Sequence, residues 1–278
     1  MRSVLLLCLG LAAVLVSATP LHAQEASETE REWHLAGMRS GFCVHLLLDP
    51  AAEALRALPP GFHALSASQS ADLHASLRSV VEGQPEFASW SPSRFCFYAL
   101  DTVRTSEFTA GDKSGRKPQL LALWTVLAAD TAGTPQQVGL GLFTNGSRLI
   151  RSARLGGLVF REARLKVGKV PAFDAEGVPS TENRFEVRVG KTTITWDGHL
   201  TGDSVAVASP LEVAWISATG KGGQVPGRIR LTPRYSRAMV GSIRVVGKDD
   251  LAQALKGSPT RFAGPAYLGG QGLFVISR

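Results

Sequence analysis

Beyond residue 18 the chain lacks any apolar run long enough to cross a bilayer as a helix. The longest, Leu120 to Ala129, is broken by Thr125 and followed by Asp130. It falls well short of the roughly 20 residues a membrane helix needs, so it reads as a buried strand. Charge is thin as well: 19% of residues are charged, and the formal net charge of +7 never collects into a block. Tails that bind nucleic acid carry such blocks, so no nucleic-acid partner is expected. Basic residues stand singly between apolar ones, as on the wet face of a sheet. The charge favours only an anionic surface or ligand.

Signatures of the common exported hydrolases and metalloenzymes are missing too. There is no HExxH or HxH pair, and His34, His45, His63, His74 and His199 are not spaced with acidic residues as metal ligands are. His45 alternates with apolar neighbours and reads as a core histidine. No GxSxG elbow occurs. Gly220 to Gly223 and Gly269-Gly270-Gln271-Gly272 lack the lysine–hydroxyl ending of a phosphate loop and read as turns. Asn145-Gly146-Ser147 is formally a glycosylation sequon, but a hairpin-like turn explains it. No catalytic residue, metal ligand or cofactor is therefore assigned.

What is present begins at the N-terminus. Arg2 precedes a continuous apolar and small-residue run from Val4 to Ala18; Thr19-Pro20 breaks it, and Leu21-His22-Ala23 offers a cleavage site before Gln24. That length suits a signal h-region of roughly 7–15 residues. Residues 1–23 are read as a signal peptide, 24–39 as a flexible polar lead-in and 40–278 as one domain. The alternative is an uncleaved anchor. The expected location is periplasmic or extracellular, with no stable membrane span once the signal is removed. Cysteine usage agrees with export. Cys8 leaves with the signal, and the remaining pair, Cys43 and Cys96, sits in similar runs, Phe42-Cys43-Val44 and Phe95-Cys96-Phe97. In an oxidising compartment an even pair is most simply a disulfide; two buried thiols are the alternative.

The pattern along the domain is mostly of period two. Phe42 to Leu48 is strand-like. Asp49-Pro50 then opens a helix over Ala51 to Leu58, which Pro59-Pro60-Gly61 stops. A second helix is expected from Ser70, with Leu73, Leu77, Val80 and Val81 at helical spacing, and a third over Asp249 to Leu255. Between them run many short alternating segments, including Ala163 to Val167, Phe185 to Val189, Thr192 to Leu200, Leu211 to Ile216, Val240 to Val246 and Leu273 to Ile276. Turn clusters at Asn145-Gly146, Asp197-Gly198 and Thr219 to Gly223 separate some of them. The expected fold is α+β: a single domain dominated by an antiparallel, barrel-like sheet with two or three short flanking helices.

The densest charged constellation is Arg148, Arg151, Arg154, Arg161, Glu162 and Arg164, laid around Leu155-Gly156-Gly157-Leu158. As two strands joined near the glycines, the segment would send some arginines to each face, and an inward one would suit a carboxylate. The bland reading is a solvated edge. Val44 to Pro50 with Leu58-Pro59-Pro60-Gly61-Phe62 resembles the opening of acetoacetate decarboxylase-like proteins, and Leu155 to Leu165 resembles that family's central segment. The order of elements is similar over about residues 42–245. The resemblance implies a barrel-like sheet with an internal pocket. In the decarboxylases the central segment carries adjacent lysines, one of which forms a Schiff base with the keto acid. Val159-Phe160-Arg161-Glu162 stands there instead, and arginine cannot form that imine. Lys166 and Lys169 follow on an alternating strand and are given no such role.

The expectation is therefore an exported binding protein for a small, partly apolar carboxylate, held by Arg154, Arg161 and Glu162. The alternatives are a decarboxylase-like lyase or hydrolase working without the lysine, and a structural envelope protein with no ligand. Nothing in the sequence fixes an oligomeric state.

Overall fold

Among the described residues fifteen strands join into one sheet, and the pairings close it on itself twice. The computed structural model describes residues 31–72, 78, 81–106, 109–111, 118–155, 158–173, 179–218, 224–259 and 261–276. The strands are β1 (Arg31–Leu48), β2 (His63–Ala64), β3 (Ser91–Arg104), β4 (Thr109–Gly111) and β5 (Gln119–Ala129). Then come β6 (Pro135–Thr144), β7 (Phe160–Phe173), β8 (Pro179–Val189), β9 (Thr192–Ala206) and β10 (Leu211–Ala218). The last five are β11 (Gln224–Thr232), β12 (Tyr235–Val246), β13 (Arg261–Ala263), β14 (Ala266–Leu268) and β15 (Gln271–Ile276). Short helices interrupt them: α1 (Glu53–Arg56), α2 (Ala67–Ser70), α3 (Ser147–Leu155) and α4 (Asp250–Gly257).

One ring runs β1-β3-β5-β6-β10-β11-β15 and back to β1. A larger ring leaves β6 for β7, β8, β9, β12 and β14 before it too returns to β1. The wall β1-β3-β5-β6 is common to both, so where its strands run between the two cores they bury both faces. That is why Leu120 to Ala129 is apolar without alternation. Leu120, Ala122, Trp124 and Val126 belong to the core of the larger ring, with Phe42, Phe95, Phe97, Phe185 and Trp196. Leu121 and Leu123 belong to the smaller ring's core, with Trp33, Leu35, Trp215, Ile229 and Phe274. Helix α4 adds Leu251 and Leu255 to the larger core. Asp249 caps it, accepting from the Ala252 amide at 3.1 Å, as its position before the apolar repeat predicts.

The barrel-like α+β architecture is the expected one, with local departures. The sheet is not purely antiparallel: β6 pairs in parallel with both β7 and β10. The lead-in read over 24–39 overlaps β1, where Trp33 and Leu35 are buried. The expected helix at Ala51 to Leu58 contracts to Glu53–Arg56. The Asp49 carboxylate does accept from the Ala51 amide at 2.7 Å, as an opening turn should. Of the second helix expected from Ser70, residues 78 and 81–83 are helical, Val81 among them, and α2 precedes it; Leu73, Leu77 and Val80 lie outside the described residues, as do residues 1–30 and 219–223. Asp197-Gly198 is not a turn but lies inside β9. A Cβ on Gly198 would sit 2.7 Å from the Gly241 Cα and 2.8 Å from the Trp196 ring, so this glycine serves close strand approach.

Candidate anion site on the shared wall

The arginine segment does not form two strands. Arg148, Arg151 and Arg154 recur every third residue on α3, while Leu149 and Ala153 are fully buried beneath them. That spacing is helical, and it turns all three arginines to solvent. Arg161 and Glu162 follow on β7, and both are exposed. The Arg161 guanidinium lies 5.5 Å from the Phe143 ring centroid, a cation–π contact. Arg154, in the last turn of α3, complements the helix dipole. All three of Arg154, Arg161 and Glu162 are exposed; along β7 Arg161 takes the face of Ala163, which belongs to the larger core, and Glu162 takes the opposite face. Asn145 holds no free amide: its Nδ2 donates to the Pro118 carbonyl and its Oδ1 accepts from Leu120, fastening the end of β6 to β5.

A different arginine lies within the wall. Along β3, Phe95 and Phe97 enter the larger core, whereas Cys96 and Tyr98 enter the smaller one. Strand alternation puts Arg94 on the face of Cys96 and Tyr98. Its register partners are His45 on β1 and Thr125 on β5. Two residues on, Cys43 and Cys96 stand directly opposite, their sulfurs 2.05 Å apart, at bonding distance. Two further on, Tyr98 faces Gly41, which in turn faces Tyr267 on β14. A Cβ at Gly41 would lie 2.5 Å from the Tyr98 ring, so the glycine is the seat on which that ring rests. At the other end the Thr125 hydroxyl donates to Gln137 Oε1 at 2.9 Å. The interior face therefore changes from leucine and tryptophan to His45, Arg94, Thr125 and Gln137.

The electrostatics single out Arg94. It is half-buried, yet protein packs around it closely enough that desolvation draws its pKa below the ordinary arginine value. No carboxylate among the described residues pairs with it; its electrostatic neighbours are Tyr98 and Tyr267. Burial pushes the Tyr98 hydroxyl up to about 12, against the pull of Arg94, and raises Tyr267 as well. Both phenols are therefore neutral donors at physiological pH. One planar cation, two hydroxyl donors and a histidine can bind and orient an anion. They hold no amine for imine chemistry. Lys166 is exposed and paired with Glu186 at 2.9 Å, and Lys169 is exposed. Among the described residues no group of three or more His, Cys, Asp or Glu side chains could hold a metal.

No protein-family model and no curated protein sequence matches this chain. Its structure is similar to an acetoacetate decarboxylase-like enzyme from Sphingomonas wittichii RW1, the class its sequence segments resemble. The identity is 10% and the TM-score 0.46, over 94% of this chain and 96% of that one. It is also similar to the enduracididine biosynthesis enzyme MppR complexed with pyruvate. There the identity is 13% and the TM-score 0.45, over 88% of each chain.

Proposed function

We propose that this is an exported protein that binds a small, partly apolar carboxylate without covalent chemistry, with Arg94 as the anchor. The observation that carries the reading is an arginine in a protein-packed wall with tyrosines beside it and no acid among the described residues paired with it. An isolated cation in such a place is costly, and a ligand carboxylate would offset that cost through two parallel N–H···O bonds. Tyr98 and Tyr267 would supply further donors, and the adjoining leucines an apolar surface.

The test is calorimetric titration of the mature protein with acetate, butyrate and acetoacetate. Arg94→Gln is expected to weaken butyrate or acetoacetate binding at least tenfold, about 1.4 kcal/mol. Unchanged affinity in a variant that melts like the parent would overturn the reading. The same titration on Arg161→Ala tests ligand contact at Arg154, Arg161 and Glu162, which are all exposed, so a charge contact there would contribute about 0–1 kcal/mol. Borohydride added with acetoacetate is expected to leave every lysine unmodified. A trapped adduct would favour the lyase alternative.

Export rests on the Val4 to Ala18 run and on a cysteine pair suited to an oxidising compartment. Protein recovered from its native host is expected to begin at Gln24. An N-terminus that keeps residues 4–18 would refute cleavage.

A further inference from the structure

A second chemistry-bearing depression lies elsewhere, on the outward face of the smaller ring, where β3, β1, β15 and β11 run side by side. Its volume is about 570 Å³, within the range of small-molecule sites. The residues along its floor fall into two cross-strand rows. In the first, Arg104 faces His34, His34 faces Leu273, and Leu273 faces Arg230. In the second, Thr102 faces Ala36, Ala36 faces Gln271, and Gln271 faces Thr232. All eight line the groove. The neighbouring Leu35 and Val103 point the other way into the core, which fixes the first row outward.

The arrangement is a cation at each end of a row with an apolar centre. Neighbouring strands lie about 4.8 Å apart, so Arg104 and Arg230 are separated by about 14 Å at the backbone. Their side chains can lean inward to bring the two guanidinium groups closer. Between them Leu273 and Ala36 offer carbon surface, and Thr102, Thr232 and Gln271 offer hydrogen bonds along one edge. His34 is a donor in either protonation state. Among the described residues no acidic one lines the groove. Glu212 meets the Arg230 Nε at 3.2 Å and Glu32 lies 3.7 Å from His34 Nε2, both from outside the lining. Glu212 engages Arg230 through Nε, and among the described residues no ion pair to its terminal nitrogens stands beside it.

We propose that this groove is a second binding site, separate from Arg94, for an elongated dianion with an apolar middle, such as an α,ω-dicarboxylate. Each end meets one arginine, and the chain between them lies over Leu273 and Ala36. A single-headed acid can engage only one end. A short diacid cannot reach both.

The experiment is calorimetry on the full mature protein with malonate, suberate and octanoate. Suberate and octanoate have the same number of carbons but differ in the second carboxylate. Suberate is expected to bind at least tenfold more tightly than either of the others. Arg104→Gln and Arg230→Gln should each bring suberate down to the level of octanoate. Both side chains are exposed, and unchanged melting temperatures verify that the variants fold. Arg94→Gln should leave the suberate preference untouched, so failure here and failure of the Arg94 reading are separable. Equal affinity for suberate and octanoate would overturn the proposal. So would a suberate preference that survives both arginine variants or that disappears with Arg94→Gln.

Discussion

Asp197 shows how one side chain can carry pH dependence for this fold. It is 8% exposed in the middle of β9. Arg184 donates to its two oxygens at 2.6 and 2.7 Å, and Arg244 donates to Oδ2 at 2.9 Å. The Arg184 hydrogen bond, more than any other influence, holds the carboxyl below its ordinary value of 3.8. A folded-state pKa below the unfolded one means stability that is present above the unfolded value and lost as pH falls through the folded one. Asp197→Asn is therefore expected to cost about 1–2 kcal/mol at pH 7, the two arginines being partly exposed. The gap between variant and parent should narrow below pH 4. Urea melts at pH 7 and pH 3 measure it, and a gap equal at both would show that the network contributes nothing to acid sensitivity. Arg94 makes the complementary point about what a residue discloses in sequence. Standing in Ser91-Pro92-Ser93-Arg94-Phe95, it reads as the wet face of an alternating strand. One signal could have found it. Phe95 to Leu100 is an unbroken apolar run, as a strand buried on both sides requires, and a charge at the head of such a run is close to a core.

Whole elements were legible where the local pattern had a single physical cause. Leu120 to Ala129 reads as a buried strand because continuous apolarity without helical length leaves no other economical place for it. The α4 helix reads from Asp249, Leu251 and Leu255 because capping and periodicity agree. Elements were misread where one residue type serves two purposes. Glycine in Asp197-Gly198 looks like a turn, but its missing Cβ lets β9 approach β12 beneath the Trp196 ring. In α3 the eye follows the charges of Arg148, Arg151 and Arg154, while the informative feature is their spacing against Leu149 and Ala153. Once that helix is recognised, the chain between β6 and β7 is a crossover, and the parallel pairing Leu142↔Phe160 follows from its length. The candidate site was the least legible. It depends on which faces of β1, β3 and β14 meet, and Tyr98 and Tyr267 are 169 residues apart (267 − 98).

At the scale of the molecule, the shared wall decides how the two rings behave together. β1 and β3 belong to both, and Cys43–Cys96 joins them in register near the middle of their pairing. The bond closes a loop with a sequence separation of 53. Such a cross-link stabilises by restricting the unfolded chain, and its loss typically costs about 2–5 kcal/mol. Because the wall is common, that loss should fall on both cores at once rather than loosen one ring and spare the other. Trp33 and Trp215 report on the smaller core, and Trp124 and Trp196 on the larger. Variants that keep tryptophan only at 215 or only at 196 should therefore show coincident melting transitions. Cys43→Ala/Cys96→Ala, built on each, should lower both midpoints by the same amount. Fluorescence-detected thermal melts make the comparison. Separate transitions, or a shift confined to one tryptophan, would mean that the rings unfold independently and that the wall does not couple them.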